Sequence, residues 1–465
     1  MGSMQFLVPN RPGLSETAVR CAYMVGQDGA PWESRVTLVG GRLVVERDTR
    51  ESGRLVTPWF QEEHGVFALS TTTLSPRSRP YHLALELCRG TLARVLDAAW
   101  QRVDDTKCCQ LLQSARQEFI QAALLQDDLE SSAAHAELAM GHCLGLIRHL
   151  FIPSQQQTRT FSSRLTGIQI GSSHELRRVT ERGKPPGNSI CFAPSWCEVE
   201  PNPNEWNWSP TQQSLTHIRR LRRRTITGPL FRLKRQCLPD WLYLWDDNFD
   251  ALQSYVVNYV ASAVRHLKEA TNVWYASAIT NTDLELHLSE EQRLRLTLTT
   301  LETVRQQDTQ TPVLVGVRQP WGEYLGHSSL DLSPWQFADI AVRTGLGVSG
   351  FVWEIAIDCN EYHTLPRDLL EVNQLIEQWT AFGLPLVVLL SAPTGVPNRL
   401  TQPVRFPEDY LTELIELFQQ HPAIQGVLWQ QLVDNSEQHD GLFDEQSKPK
   451  PIYGTLEKLW NVPNG

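Results

Sequence analysis

Eight short apolar runs recur between residues 165 and 432, and an amphipathic helical stretch separates most of them. They read LTGIQIG (165–171), SICFAPS (189–195), TGPLFRLK (227–234), WYASAIT (274–280), PVLVGVR (312–318), GFVWEIAI (350–357), PLVVLLS (385–391) and QGVLWQQL (425–432). Near-continuous apolar strands belong to parallel sheets covered on both faces. Stretches such as FDALQSYVVNYVASAVRHLKEA and LTELIELFQQ supply the helical crossovers that parallel strands need. Eight such units in about 300 residues suit a closed (β/α)8 TIM barrel better than an open sheet. In that fold chemistry sits where the strands end and their following loops begin.

The chain of 465 residues is too long for the barrel alone. Residues 1–78 carry turn-punctuated runs (AVRCAYMVG, SRVTLVGGRLVVERD, GVFALSTTTL) with a Gly40-Gly41 hairpin signal, and read as an N-terminal β-sandwich-like domain. Residues 79–155 change to helical periodicity, with three helices expected. The polar stretch IPSQQQTRTFSS then leads into the barrel, expected over 160–465.

A formal net charge of −10 argues against a dedicated nucleic-acid binder. The basic cluster HIRRLRRRTITG (His217–Gly228) reads as the solvated C-terminal end of a helix. Nine scattered cysteines lack a disulfide framework or a C-x-x-C zinc pair, and read as thiols of a reducing compartment. No apolar run reaches membrane-spanning length and no signal peptide is visible, which favours a cytoplasmic setting. GLGVSG (Gly345–Gly350) spells a dinucleotide fingerprint but precedes a strand, so it reads as a helix-to-strand turn. No cofactor or metal site is expected, and His287, His327, His363 and His439 read as surface histidines.

Several barrel segments resemble glycoside hydrolase family 10, the retaining xylanases, in the right order. EVEPNPNEWNW (Glu198–Trp208) is similar to the family's segment after strand two, and GPLFRLKRQCLPDWLY (Gly228–Tyr243) to its strand-three segment. VLWQQLVDNSEQHDGLFDEQSKPKPIY (Val427–Tyr453) is similar to the last strand and closing loop. The resemblance implies a retaining mechanism with two carboxylates about 5–5.5 Å apart. Its acid/base closes strand four after an Asn; here SAITNT puts Asn281 at the Asn and Thr282 at the acid. Its nucleophile lies in strand seven; here GLPLVVLLSAPTG puts Leu390 or Ser391 there. The strand-three histidines correspond to Pro229 and Lys234, or a close neighbour. A hydroxyl or an alkyl group cannot take those roles, so the family's own mechanism is not expected to run.

The strand ends nominate other acids. Glu354 interrupts the apolar FVWEIAID and needs a partner or a cavity. Glu323 follows Trp321 at the neighbouring strand end, so Glu354 and Glu323 form the candidate catalytic pair, facing one pocket. Asp283, Glu285, Asp358, Glu361 and Asp434 are further acids near strand ends. The alternative for Glu354 is an ion pair with Lys234 or Arg232, and for Glu323 a solvated loop position. The resemblance places Trp429 under a sugar ring. Trp321 and Trp353 end neighbouring strands and would offer aromatic platforms, or else fill the barrel mouth. Asn281 would hydrogen-bond a sugar hydroxyl. Lys234 and Arg232 near the cleft would favour an anionic glycan.

Three readings remain open on the sequence. The barrel is a degenerate xylanase-type fold that binds carbohydrate or a protein partner without cleavage. Alternatively, it is an active β-glycan hydrolase with relocated carboxylates, or a structural scaffold whose N-terminal domain contacts a partner.

Overall fold

Runs of β-branched and aromatic residues broken by Gly-rich turns open the chain, and they form two four-stranded sheets. The computed structural model describes residues 2–10, 16–99, 105–152, 164–172, 175–177, 185–282, 285–360, 362–394, 409–434 and 439–460. The first sheet runs Arg35–Val39, Arg42–Arg47, Gly2–Leu7, Tyr81–His82; the second runs Pro31–Trp32, Tyr23–Val25, Arg54–Gln61, Gly65–Ser70. Gly40 and Gly41 join the first hairpin with φ of 55° and 74°, the pair of positive values that a tight two-residue turn demands. Phe6 and Val45 from one sheet share a core with Leu55 and Trp59 from the other, which matches the sandwich-like expectation. The strand Tyr81–His82 extends the first sheet past residue 78.

Three helices follow, Leu83–Ala99, Thr106–Leu124 and Leu129–Phe151. Asp105 and Asp128 cap the second and third by accepting backbone N–H groups of the first turn. Ala115, Ala122, Ala136 and Ala139 are fully buried, so small side chains let these helices approach closely.

The remainder closes into an eight-stranded parallel barrel. Its strands are β1 (Leu165–Ile170), β2 (Ser189–Phe192), β3 (Arg224–Thr227), β4 (Val273–Tyr275), β5 (Val313–Arg318), β6 (Gly350–Ala356), β7 (Leu386–Ser391) and β8 (Ile424–Trp429). Each pairs with its sequence neighbour, and β8 returns to β1. The third strand differs from the sequence expectation of 227–234. The barrel strand ends at Thr227, and only after Gly228-Pro229 does Phe231–Arg232 pair with Ser277–Ala278 as a short extension towards the mouth. Proline at 229 lacks the N–H that would continue the ladder.

Side chains alternate between the barrel interior and the surrounding helices. On β6, Phe351, Trp353 and Ile355 belong to the outer core, where Trp353 and Phe351 meet Trp379 edge-on. Val352 belongs to the inner core, and the same parity turns Glu354 inward. Trp429 follows the outward parity of β8 and Leu428 the inward one. GLGVSG is a turn from the helix Pro334–Arg343 into β6, with Gly345 and Gly347 at positive φ. Among the described residues no helix is long and apolar enough to cross a membrane.

The N-terminal domain docks on the loops after β5 and β6. Ala68 N–H donates to Pro366 O and Ser34 N–H to Gly326 O. Arg367 donates to the Tyr23 hydroxyl at 2.6 Å, and Arg94 of the first helix donates to Asp368 at 2.8 Å.

Candidate functional site

A cavity of about 360 Å³ opens at the C-terminal end of the barrel, the end where this fold carries its chemistry. Every strand contributes to it: Gln169 from β1, Ala193 after β2, Arg232 and Lys234 beyond β3, Ile279 beyond β4, Arg318 from β5, Glu354 from β6, Ser391 from β7, and Gln430 after β8. Its wall is mostly polar, with Gln236, Gln431, His363 and Asp440 added by loops.

Glu354 is the inward carboxylate of this wall and is 4% exposed. Its Oε1 accepts from the Tyr275 hydroxyl at 2.9 Å and from the Ile279 N–H at 3.2 Å. Burial and the neighbouring carboxylate hold the Tyr275 phenol well above its usual range, so it stays the donor. Ile279 reaches Glu354 from a backbone φ of 63°, a left-handed conformation that a β-branched residue adopts at a cost. Gln319, after β5, also has a positive φ of 48°. Strained backbone at two neighbouring strand ends is typical of binding and catalytic sites. Gly316 leaves the room this arrangement needs, because a Cβ there would lie 2.7 Å from both Glu354 Oε1 and the Tyr275 hydroxyl oxygen.

Three cations face the same cavity, Arg232, Lys234 and Arg318. Among the described residues neither Arg232 nor Lys234 forms a salt bridge within 4.0 Å. Burial, then the Arg232 and Arg318 charges, push the Lys234 ammonium below its ordinary range. Burial and then Arg318 and Lys234 push His363 down to about 4, so its imidazole is neutral at pH 7. It is not the surface histidine expected from the sequence. Its Nδ1 lies 2.5 Å from Asn360 Oδ1.

Asp440 supplies a second carboxylate in the cavity. Burial raises its carboxyl above the usual range, against a hydrogen bond from Ser391, and its Oδ1 is buried without a partner. Asp434, a sequence candidate, braces this loop instead of facing the cavity. Its Oδ1 accepts from Lys450 Nζ at 2.7 Å and from Gly441 N–H at 2.8 Å.

Of the sequence candidates, the cavity brings together Glu354, Lys234 and the alternative Arg232, along with Glu285 and Ser391. Ser391 follows the inward parity of β7 whereas Leu390 packs in the outer core. Glu323 does not line the cavity. It is 1% exposed and accepts from Arg367 at 2.9 Å and from Leu365 N–H. The expected shared pocket for Glu323 and Glu354 is therefore replaced by a buried ion pair, because a short helical turn (Glu323–Gly326) folds Glu323 towards the N-terminal domain. Trp321 stacks under Arg367 at 5.4 Å and lines a separate cleft of about 490 Å³ between that domain and the barrel. Trp353 and Trp429 are 0% and 1% exposed, both outward, and neither offers a platform to the mouth; Trp429 Nε1 donates to Asp440 O. Asn281 is spent on the backbone of Arg318, donating to its O at 2.8 Å and accepting its N–H at 3.0 Å. Thr282 Oγ1 is buried without a partner. Asp358 is held by Cys359 N–H and Asn360, while Asp283 and Glu361 lie outside the described residues.

Arg318, Gln169 and Gln430 were overlooked in the sequence, although each is a polar residue of inward parity at the end of an apolar strand. Asp440 and His363 carry no such signal, since loops fold them back over the mouth. Among the described residues no group of three or more His, Cys, Asp or Glu side chains is placed to hold a metal ion.

This geometry defines a multidomain protein built on an eight-stranded α/β barrel with a polar mouth. No family model matches the chain, and no curated protein matches it. Among solved structures it is similar to GH10 from Paenibacillus barcinonensis, with a TM-score of 0.50 and 13% identity over 67% of this chain and 99% of that one. Xylanase 10B from Thermotoga petrophila RKU-1, in complex with xylobiose, gives 0.49 and 13% over 67% and 98%. Native xylanase 10B from Thermotoga maritima gives 0.48 and 13% over 65% and 96%. At this identity the likeness is one of fold, to the xylanase barrels of glycoside hydrolase family 10.

Proposed function

We propose that the barrel mouth binds carbohydrate and does not run the two-glutamate cleavage that the sequence resemblance implies. One observation carries this reading. Among the described lining residues the one carboxylate on a barrel strand is Glu354, and one of its oxygens is occupied by Tyr275 and Ile279. The inward position near the end of β7 is the hydroxyl of Ser391, and Thr282 follows β4, so neither strand end offers an acid of suitable pKa. The amide side chains of Gln169, Gln236, Gln430 and Gln431 present paired donors and acceptors, which suit the hydroxyl groups of a sugar. Titration calorimetry with β-linked oligosaccharides, beside hydrolysis assays on β-linked polysaccharides and aryl glycosides, tests this. Binding without turnover is expected; turnover that disappears in Glu354→Gln refutes it.

A second reading, an active hydrolase with relocated acids, is favoured by Asp440 lining the same cavity with a raised pKa. Acid-assisted glycoside cleavage uses two carboxyl groups facing one cavity, one of them raised by burial, and burial raises that of Asp440. On that reading Glu354→Gln and Asp440→Asn each abolish turnover while saccharide binding survives.

A further inference from the structure

Three cations and four carboxylates line the mouth, and among the described residues two of the cations, Arg232 and Lys234, form no salt bridge. Arg232 and Lys234 lie two residues apart beyond β3, on a turn in which the Lys234 N–H donates to Arg232 O, and both line the cavity. Arg318, whose backbone pairs in register with Glu354, brings a third cation to the cavity. Glu354, Asp440, Glu175 and Glu285 line the same cavity, yet none forms a salt bridge with Arg232 or Lys234. The Arg232 Nε is buried with no hydrogen-bond partner, and the Lys234 ammonium forms no salt bridge among the described residues. Withdrawing a cation from water without an adjacent counter-charge is unfavourable. The fold keeps two of them side by side in its most functional location.

Resting on the carbohydrate reading for the nature of the ligand's body, we infer that Lys234 and Arg232 recognise an anionic oxygen group on that ligand, a uronate carboxylate or a sulfate ester. The planar guanidinium of Arg232 suits two oxygens of such a group, and the Lys234 ammonium acts as a point charge beside it. His363, neutral between Lys234 and Arg318, adds a hydrogen-bonding wall without adding charge. Glu354 faces the same space from across the barrel and disfavours an anion placed against β6, which orients the acidic group towards the β3 side.

The test uses the full chain and a matched set of probes: cellotetraose, its 6-oxidised cellouronate counterpart, its 6-sulfated counterpart, and inorganic sulfate. Wild type is expected to bind the uronate or the sulfate ester at least tenfold more tightly than cellotetraose, and the preference is expected to shrink as salt rises. Which of the two acidic probes binds tighter identifies the group. Lys234→Gln and Arg232→Gln, checked for folding by circular dichroism, are expected to erase the preference while leaving residual cellotetraose binding. Equal binding of neutral and acidic probes, or a preference untouched by both substitutions, overturns the inference while the carbohydrate reading stands. If no saccharide binds, the carbohydrate reading fails and inorganic sulfate decides the anion site. Sulfate binding lost in Lys234→Gln supports it, and no sulfate binding overturns it.

Discussion

Replacing Glu323 by alanine removes one partner of an ion pair in which both side chains are 2% exposed and the charged atoms lie 2.9 Å apart. The chemistry of the mouth does not use this residue on our reading, so the effect belongs to stability. Burial already raises the Glu323 carboxyl against the pull of Arg367, and its Oε2 is buried without a partner, so the carboxylate itself is poorly solvated. The loss therefore comes mainly from Arg367, left buried with one acid fewer. Breaking a buried pair by removing one partner costs about 3–5 kcal/mol. Arg367 keeps Glu371 at 2.7 Å and the Tyr23 hydroxyl, which places Glu323→Ala at the low end, about 3 kcal/mol. The assay is the shift of the guanidinium unfolding midpoint at constant slope, beside saccharide binding. Replacing both residues, Glu323→Met with Arg367→Met, is expected to cost less than the sum of the singles, because neither member of this pair is left charged without the other, and Glu371 keeps Arg94 at 3.7 Å. A cost below about 1 kcal/mol in Glu323→Ala, combined with lost ligand binding, would refute this reasoning and return Glu323 to the site.

Three other perturbations have definite expected outcomes. Gly316→Ala places a Cβ against Glu354 and Tyr275, so it should cost about 1–3 kcal/mol in thermal unfolding and weaken ligand binding at the mouth. Asp308 is drawn down to about 2: its burial is outweighed by the Trp274 Nε1–H at 2.9 Å and the Thr311 and Gln310 N–H groups. Its folded pKa lies below the ordinary 3.8, so its contribution is complete above pH 3.8 and is lost as pH falls towards 2. Asp308→Asn should flatten stability against pH within that window alone. His363 should show no protonation in NMR titration until pH falls to about 4. Because the folded form resists the proton that the unfolded chain takes up near 6.5, stability should decline as pH falls from 6.5 to 4, and His363→Gln should remove that decline.

The alternation of apolar strands and amphipathic helices determined the barrel without help, because the two periodicities follow from local geometry and burial alone. The Gly40-Gly41 hairpin, the three helices and the inward importance of Glu354 were legible for the same reason: a positive φ, a repeat or a charge inside an apolar run is a local signal. The fates of Trp429, Trp353 and Glu323 were not. Strand parity turned both tryptophans towards the helices, and a one-residue error in register reverses that choice. Glu323 met Arg367 across 44 residues of chain and Arg367 met Tyr23 across 344, and no pattern near Glu323 names those partners. Asp440 and His363 reached the mouth because loops folded over it, and among the described residues Lys234 stands without a salt bridge because of where its neighbours ended up. Periodicity reports which residues are buried along one element; which charges meet there is settled only when distant elements close on one another.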